Sequence, residues 1–103
     1  MKHFLIRYSF KEGRAEDWHR DIAGFIAALE DDPELRGKIS YRAMKIRDGA
    51  DYMHIAAAAD EQAIKALQSR DFFTRYNDRT KQVAGGHVEV VPLDIIGSTT
   101  TFD

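Results

Sequence analysis

The side chains best suited to chemistry lie on segments with strand patterning, and His54 stands out among them. A histidine titrates near neutral pH, with an ordinary pKa of about 6.5, so it can act there as a general base. If the first and third strands are antiparallel neighbours, alternation places Arg7 opposite His54 or nearly so, on the same sheet face. This pair could deprotonate a phenol at His54 and stabilise the oxyanion at Arg7, which predicts a catalytic role for both.

Three further polar side chains are predicted to share that face. Tyr41 and Tyr52 come from the neighbouring hairpin and would orient an aromatic ring, while Glu89 comes from the last strand. All three are candidates for substrate binding. A second interpretation stays open, in which Arg7 and Glu89 form a buried ion pair across a dimer interface, with His54 hydrogen-bonded nearby.

The histidines do not predict a metal centre. His3 and His87 begin different strands, and antiparallel pairing would place them at opposite ends of the sheet, roughly 20 Å apart at about 3.3 Å per residue. His19 lies on a predicted helix surface, and no HxH or HxxxH spacing occurs. Together with the lack of cysteine, this predicts neither a metal site nor a cofactor.

Changes of hydrophobic period predict the elements that position these side chains. Asp60 is placed to cap a helix, and Gly85-Gly86 to end it with left-handed backbone. Asp48-Gly49 supplies the positive φ of a tight hairpin. Strands are predicted over residues 2–10, 38–47, 52–59 and 87–96, with one helix over residues 14–31 and a second region, interrupted at 69–71, between the last two strands.

The resulting order, βαββαβ, predicts a ferredoxin-like α+β fold. Four antiparallel strands would lie in the order four, one, three, two, with the helices on one face. Residues 1–103 would form a single domain, with 97–103 as a polar C-terminal tail.

Alternation predicts one sheet face that is almost wholly apolar and covered by the helices. The other face mixes the polar candidates with Leu5, Val91, Leu93 and Ile95, a composition that favours self-association. Ala56 to Ala59 end the third strand and either allow close helix packing or form one wall of a cavity. The predicted helix-covered set is Phe4, Ile6, Tyr8, Phe10, Met44, Ile46, Met53, Ile55, Val88 and Val90.

Composition excludes several classes of partner. Apolar residues make up 44% and charged residues 31% of the 103, which is typical of a globular chain. A net charge of −2 gives no electrostatic reason to bind nucleic acid or an anionic membrane. No apolar run approaches the roughly 18 residues of a membrane span. The absence of cysteine fits a cytoplasmic protein.

Several segments together resemble the dimeric α/β barrel superfamily, and within it the antibiotic biosynthesis monooxygenase-like domains. They are the small-residue strand end running into DEQAIKAL, the aromatic helical piece DFFTRYND and the strand VEVVPLDII. The resemblance implies a homodimer whose sheets pack face to face, and a pocket between each sheet and its helices or loops. It also implies possible activities, namely cofactor-independent oxygenation of aromatic polyketides and quinols, or haem degradation.

Haem-degrading members of that family use an Asn, a Trp and a His in a helix pattern. Trp18 is the single tryptophan here and falls on the core side of the first helix, which does not support haem degradation. The sequence therefore predicts a dimeric small-molecule-binding protein, with cofactor-free monooxygenation of an aromatic or quinol-type substrate as the leading function. The competing hypothesis is a non-catalytic domain whose polar sheet face serves dimerisation.

Overall fold

The fold is a four-stranded antiparallel sheet with three helices packed on one of its faces. The computed structural model describes residues 1–99, so residues 100–103 of the predicted tail lie outside the described residues. Residues 97–99 form neither helix nor strand. The elements are β1 (Lys2–Ser9), α1 (Ala15–Asp31), β2 (Ile39–Lys45), β3 (Asp51–Ala58), α2 (Glu61–Gln68), α3 (Asp71–Val83) and β4 (Glu89–Leu93).

The strands are ordered β2-β3-β1-β4 and every neighbouring pair is antiparallel. This confirms the ferredoxin-like α+β fold and the strand order that the sequence predicts. No helix within residues 1–99 combines the length and the apolar character needed to cross a membrane.

The predicted boundary signals act as expected at the helix ends. The Asp60 carboxylate accepts a hydrogen bond from the backbone N–H of Ala63 at 2.8 Å, which caps α2. Gly85 and Gly86 both have positive φ, and the Gly86 N–H donates to the carbonyl of Lys81 at 2.8 Å, closing α3. In the hairpin between β2 and β3, Asp48 carries the positive φ of 63°.

The predicted break at residues 69–71 also ties two helical regions together. Arg70 donates to Asp32, just after α1, with Nε 2.6 Å from Oδ2, and it donates to Glu34 at 2.8 Å. The side chains of Arg70 and Asp32 are mostly buried, and this pairing lowers the pKa of the Asp32 carboxyl. The contact holds the start of α3 against the loop after α1, so α3 can line the space above the sheet.

The backbone register corrects the sequence-based assignment of the two sheet faces. His54 pairs with Ile6, whereas Arg7 pairs with Met53. Directly paired residues point to the same face, so His54 lies with Ile6 under the helices and Arg7 lies on the open face. A shift of one residue moves every side chain of a strand to the other face, and the predicted phase of β2 and β3 was wrong in this way.

The correction moves whole sets of side chains. Tyr41 and Tyr52, predicted on the open face, are helix-covered, while Met53 and Ile55, predicted under the helices, lie on the open face. Met44 pairs with Met53 and is also on the open face, and Ile46 follows the end of β2 and is exposed. The predictions for β1 and β4 are confirmed, because Phe4, Ile6, Tyr8 and Val90 share the helix-covered face.

The core is dominated by aromatic side chains from β1, α1 and α3. Trp18 is fully buried, as its predicted position on the core side of α1 requires. The ring of Phe25 stacks on that of Tyr76 with centroids 3.9 Å apart, and the ring of Trp18 also stacks on Tyr76, with centroids 5.6 Å apart. These stacked rings fix the position of the Tyr76 side chain over the sheet.

Candidate functional site

A pocket of about 360 Å³ lies between the helix-covered sheet face and the helices. Its size is within the range of small-molecule sites. Its walls are mostly apolar, and α3 adds the polar side chains of Asn77, Thr80 and Lys81. The remaining lining residues are Phe4, Ile6, Phe25, Ile39, Tyr41, Ala56, Ala57, Ala58, Ile64, Leu67, Gln68, Phe73, Tyr76, Val88 and Val90.

The alanines at the end of β3 are what leave this space open. Ala56 and Ala58 pair with Phe4 and Lys2 of β1 and face the helices, where larger side chains would fill the pocket. Asp60 follows these alanines and caps α2, so the helix begins only after them and the alanines stay in the strand. Of the two interpretations of this segment, the structure confirms the cavity wall.

Two tyrosines among the lining residues are hydrogen-bonded to each other through their hydroxyl groups. Tyr41 comes from β2 and Tyr76 from α3, and their hydroxyl oxygens are 2.9 Å apart. Tyr76 is buried and Tyr41 partly buried, and both line the pocket. Burial raises the pKa of both phenols, so both stay protonated at neutral pH.

Behind these hydroxyls, His54 is fully buried and hydrogen-bonded at both ring nitrogens. Nδ1 contacts the hydroxyl of Tyr41 and lies 3.4 Å from that of Tyr76. Nε2 lies 2.9 Å from the hydroxyl of Tyr8, which accepts a hydrogen bond from the indole N–H of Trp18 at 2.8 Å. A continuous chain of hydrogen bonds therefore connects the middle of the core with the pocket.

Burial controls the protonation of His54. It lowers the pKa of the imidazole from 6.5 to about 4, since removal from water penalises the charged form. His54 is therefore neutral at neutral pH, with one ring nitrogen donating and the other accepting. It does not line the pocket, and Tyr41 lies between the imidazole and the pocket.

Arg7 and Glu89 lie on the opposite face of the sheet from His54 and form an ion pair there. Arg7 Nε is 3.1 Å from Glu89 Oε1, and about half of each side chain is exposed in the single chain. The pairing lowers the pKa of the Glu89 carboxyl. The predicted grouping of Arg7 and Glu89 with His54 is thus wrong, because β1 and β3 point these side chains to different faces.

Tyr52 shares the covered face with His54 but lies outside the pocket. Its ring stacks on Tyr8 with centroids 5.3 Å apart, and its hydroxyl lies 2.7 Å from Nε2 of His19 on α1. Of the five predicted site residues, the structure brings together His54 and Tyr41 in one hydrogen-bonded group.

From the sequence, Tyr8 is predicted to lie under the helices, and Tyr76 and Trp18 are predicted to have no polar role. A signal for them was available in their types, because buried tyrosine and tryptophan require hydrogen-bond partners. Several tyrosines and a tryptophan at positions predicted to face the core, together with a histidine on a strand, indicate a buried polar network. Within residues 1–99, no group of three or more His, Asp or Glu side chains is arranged to hold a metal ion.

Comparisons with known proteins identify the fold class. No family model matches the sequence, and the search of curated proteins finds no significant match. Solved structures do match, with 10–15% identity among the three that follow. One is SnoaB, a cofactor-independent oxygenase from Streptomyces nogalater, with 15% identity, 94% of both chains covered and a TM-score of 0.74. A putative antibiotic biosynthesis monooxygenase from Nitrosomonas europaea has 10% identity, with 94% of this chain and 100% of that chain covered and a TM-score of 0.75. Another, from Caulobacter crescentus, has 13% identity, with 93% of this chain and 90% of that chain covered and a TM-score of 0.74.

The chain therefore has the fold of the antibiotic biosynthesis monooxygenase-like proteins, which confirms the predicted resemblance at the level of structure. At these identities the likeness concerns the fold alone. The polar network at Tyr8, His54, Tyr41 and Tyr76 has to be interpreted from its own geometry.

The burial of neutral His54 predicts a pH-dependent stability. Between pH 6.5 and about 4 the unfolded chain binds a proton at His54 that the folded chain does not. Stability should fall by roughly 3 kcal/mol as the pH drops through that window, at about 1.4 kcal/mol per unit of pKa difference. Urea unfolding of the wild type, His54→Gln and the exposed-site control His87→Gln at several pH values measures it. The loss of stability between pH 6.5 and about 4 should persist in His87→Gln and become smaller in His54→Gln. A wild-type stability that does not change with pH in this range would contradict a buried neutral His54.

Proposed function

We propose that this protein binds a small aromatic molecule in the pocket and acts on it as a cofactor-independent monooxygenase of phenol- or quinol-type substrates. The observation that carries the proposal is an apolar pocket lined by Tyr41 and Tyr76, whose hydroxyls are hydrogen-bonded to each other and to a buried histidine. The shared fold with SnoaB, a cofactor-independent oxygenase, supports the same reaction class.

The pocket walls suit a flat apolar ring. Phe25 and Phe73 present aromatic surface from two helices, and Phe4 presents it from the sheet, beside the small alanine side chains of β3. Aromatic contacts of this kind add to the free energy gained from apolar burial. Asn77 and Lys81 are exposed members of the lining on α3, where they can contact a polar substituent on the ring.

The tyrosine hydroxyls suit a substrate oxygen. A hydroxyl that donates to a phenolic oxygen stabilises the phenolate more than the phenol, because hydrogen bonds to charged acceptors are stronger. The effect is largest in a pocket with few competing waters. The phenolate is the electron-rich form of the ring and reacts with oxygen more readily than the neutral phenol.

His54 would act through Tyr41 rather than on the substrate directly. The imidazole contacts the hydroxyl of Tyr41 and is fully buried, so it serves as a positioning residue for the pocket hydroxyls. This differs from the sequence-based hypothesis of a base that touches the substrate. Arg7 on the other sheet face has no part in this arrangement.

The proposed reaction balances without a cofactor. The substrate supplies all four electrons that reduce O₂, a ring C–H and the phenolic O–H are lost, and a quinone forms. One oxygen atom becomes the new carbonyl and the other leaves as water. Lys81 and Asn77 on α3 would face the outgoing polar product.

We also propose that two copies pack through their open sheet faces as a homodimer. That face carries Leu5, Ile55, Val91 and Leu93, all half-buried in the single chain, beside the Arg7–Glu89 pair. Burying such side chains stabilises an interface. The alternative function, a non-catalytic dimerisation domain, would use the same face and leave the pocket without a substrate.

Blocking the pocket tests the enzymatic proposal. Oxygen uptake should exceed the autoxidation rate with hydroquinones of one to three rings, and the reactive compounds should raise the melting temperature. Ala56→Leu inserts a larger side chain into the pocket and should abolish both effects. The matched control Ala59→Leu, at an exposed alanine outside the lining, should retain them. Wild-type protein that neither consumes oxygen nor binds any of these compounds would favour the dimerisation-only alternative.

The interface proposal has its own test. Sedimentation equilibrium at micromolar concentration should give a dimer mass for the wild type. Ile55→Arg places a charge in the apolar centre of the open face. It should shift the protein to monomer, because dimerisation would bury an unpaired charge. Gln62→Arg adds the same side chain at an exposed position of α2, and this variant should stay dimeric. A wild-type monomer at this concentration would refute the interface.

A further inference from the structure

The hydrogen-bond chain behind the pocket contains one more hydrogen than it has internal bonds. Five groups carry one hydrogen each, namely the Trp18 indole, the Tyr8, Tyr41 and Tyr76 hydroxyls and the neutral His54 imidazole. Four contacts join them in series, from Trp18 to Tyr8, to His54, to Tyr41 and to Tyr76. One hydrogen must therefore point away from the chain.

The indole decides on which side of His54 this hydrogen lies. Trp18 Nε1–H can only donate, so the Tyr8 oxygen must accept at that contact. If His54 Nε2 also donated to Tyr8, the Tyr8 O–H would be left in the core, since its hydrogen-bond partners within residues 1–99 are His54 and Trp18. Leaving a buried hydroxyl hydrogen unpaired is costly.

The opposite arrangement leaves the spare hydrogen beside the pocket instead of in the core. Tyr8 O–H donates to His54 Nε2, and Nδ1–H donates to the Tyr41 oxygen. Tyr41 O–H then donates to the Tyr76 oxygen at 2.9 Å. The Tyr76 hydrogen remains, and Tyr76 lines the pocket, where a bound molecule can accept it.

We propose that the hydrogen bonds of the chain all run in this one direction, with His54 protonated on Nδ1. The free hydroxyl hydrogen of Tyr76 then makes the pocket select ligands that place an acceptor oxygen beside that hydroxyl. Such an oxygen belongs to a carbonyl group or to an ionised phenol. The inference rests on the proposed function, since it specifies the ligand chemistry of the same pocket. It also differs from that function in a testable way, because the direction of the chain is a property of the protein without ligand.

The raised pKa of Tyr76 agrees with this role, because its hydroxyl keeps its hydrogen at neutral pH. Each donor after Trp18 also accepts a hydrogen bond from the group behind it, which strengthens its own donation. The reverse direction would present only lone pairs of Tyr76 to the pocket and would favour ligands that donate. The two directions thus predict opposite ligand preferences.

The first experiment reads the tautomer of His54 directly. Heteronuclear NMR of protein labelled at the histidine side-chain nitrogens, recorded at neutral pH without ligand, distinguishes a protonated ring nitrogen from an unprotonated one. His54→Gln identifies the His54 signals by their loss. We expect a hydrogen on Nδ1 and none on Nε2, and a hydrogen on Nε2 would overturn the proposed direction.

The second experiment compares α-tetralone with tetralin, two bicyclic molecules that differ by one carbonyl group. Burying a carbonyl without a donor weakens binding by roughly 5- to 100-fold. We expect wild-type protein to bind α-tetralone at least as tightly as tetralin. In Tyr41→Phe/Tyr76→Phe the affinity ratio should shift against α-tetralone by roughly 10-fold. Both hydroxyls are removed because Tyr41 could donate in place of Tyr76.

Tyr52→Phe is the matched control, because it removes a buried tyrosine hydroxyl outside the pocket and should leave the affinity ratio unchanged. If the double variant does not fold, the wild-type ratio still decides. A wild-type protein that binds α-tetralone 10-fold more weakly than tetralin, or a little-changed ratio in a folded double variant, would overturn the selectivity. Failure to bind either molecule would overturn the proposed function together with the selectivity, while the NMR result would still decide the direction of the chain.

Discussion

The burial of His54 is the constraint on which the rest of this structure depends. An imidazole without contact to water needs a hydrogen-bond partner at each nitrogen, since burying an unpaired polar group costs more than the bond itself contributes. Tyr8 and Tyr41 supply these partners from the strands on either side of β3. The three side chains reach one another only when all three strands turn them under the helices.

This requirement explains why the apolar side chains Met53 and Ile55 lie on the open face. Turning them inward would place His54 on the opposite face, away from the helix-borne partners of its network. The hydrogen-bonded set also recruits the helices, because Trp18 of α1 donates to Tyr8 and Tyr76 of α3 contacts Tyr41. The same group of residues thus sets the phase of the sheet, helps to dock two helices and lines part of the pocket.

The sequence predicts those parts of the fold that depend on local signals. Asp60, Gly85 and Gly86 mark helix ends through their own backbone and capping chemistry, and the structure confirms each. The strand order follows from the βαββαβ sequence of elements, and it is confirmed as well.

The face of β3 could not be predicted in the same way. Alternation in YMHIAAAA offers two sets, and Met53 with Ile55 is the more apolar of them. Only long-range partners make the set with Tyr52 and His54 the buried one. Arg7 instead forms an ion pair with Glu89 on the open face, and these two residues are far apart in the sequence. Alternation alone could not show that this pair and His54 lie on opposite faces.

A crystal structure of the protein with bound α-tetralone would show whether the buried chain from Trp18 through His54 ends in a donor at the pocket. We expect the ring to lie in the pocket of about 360 Å³, against the alanines of β3. Its carbonyl oxygen should lie about 2.7–2.8 Å from the hydroxyl of Tyr76, the usual distance for an O–H donor. A ligand whose carbonyl turns away from Tyr76 and Tyr41, or one bound on the open sheet face, would contradict it.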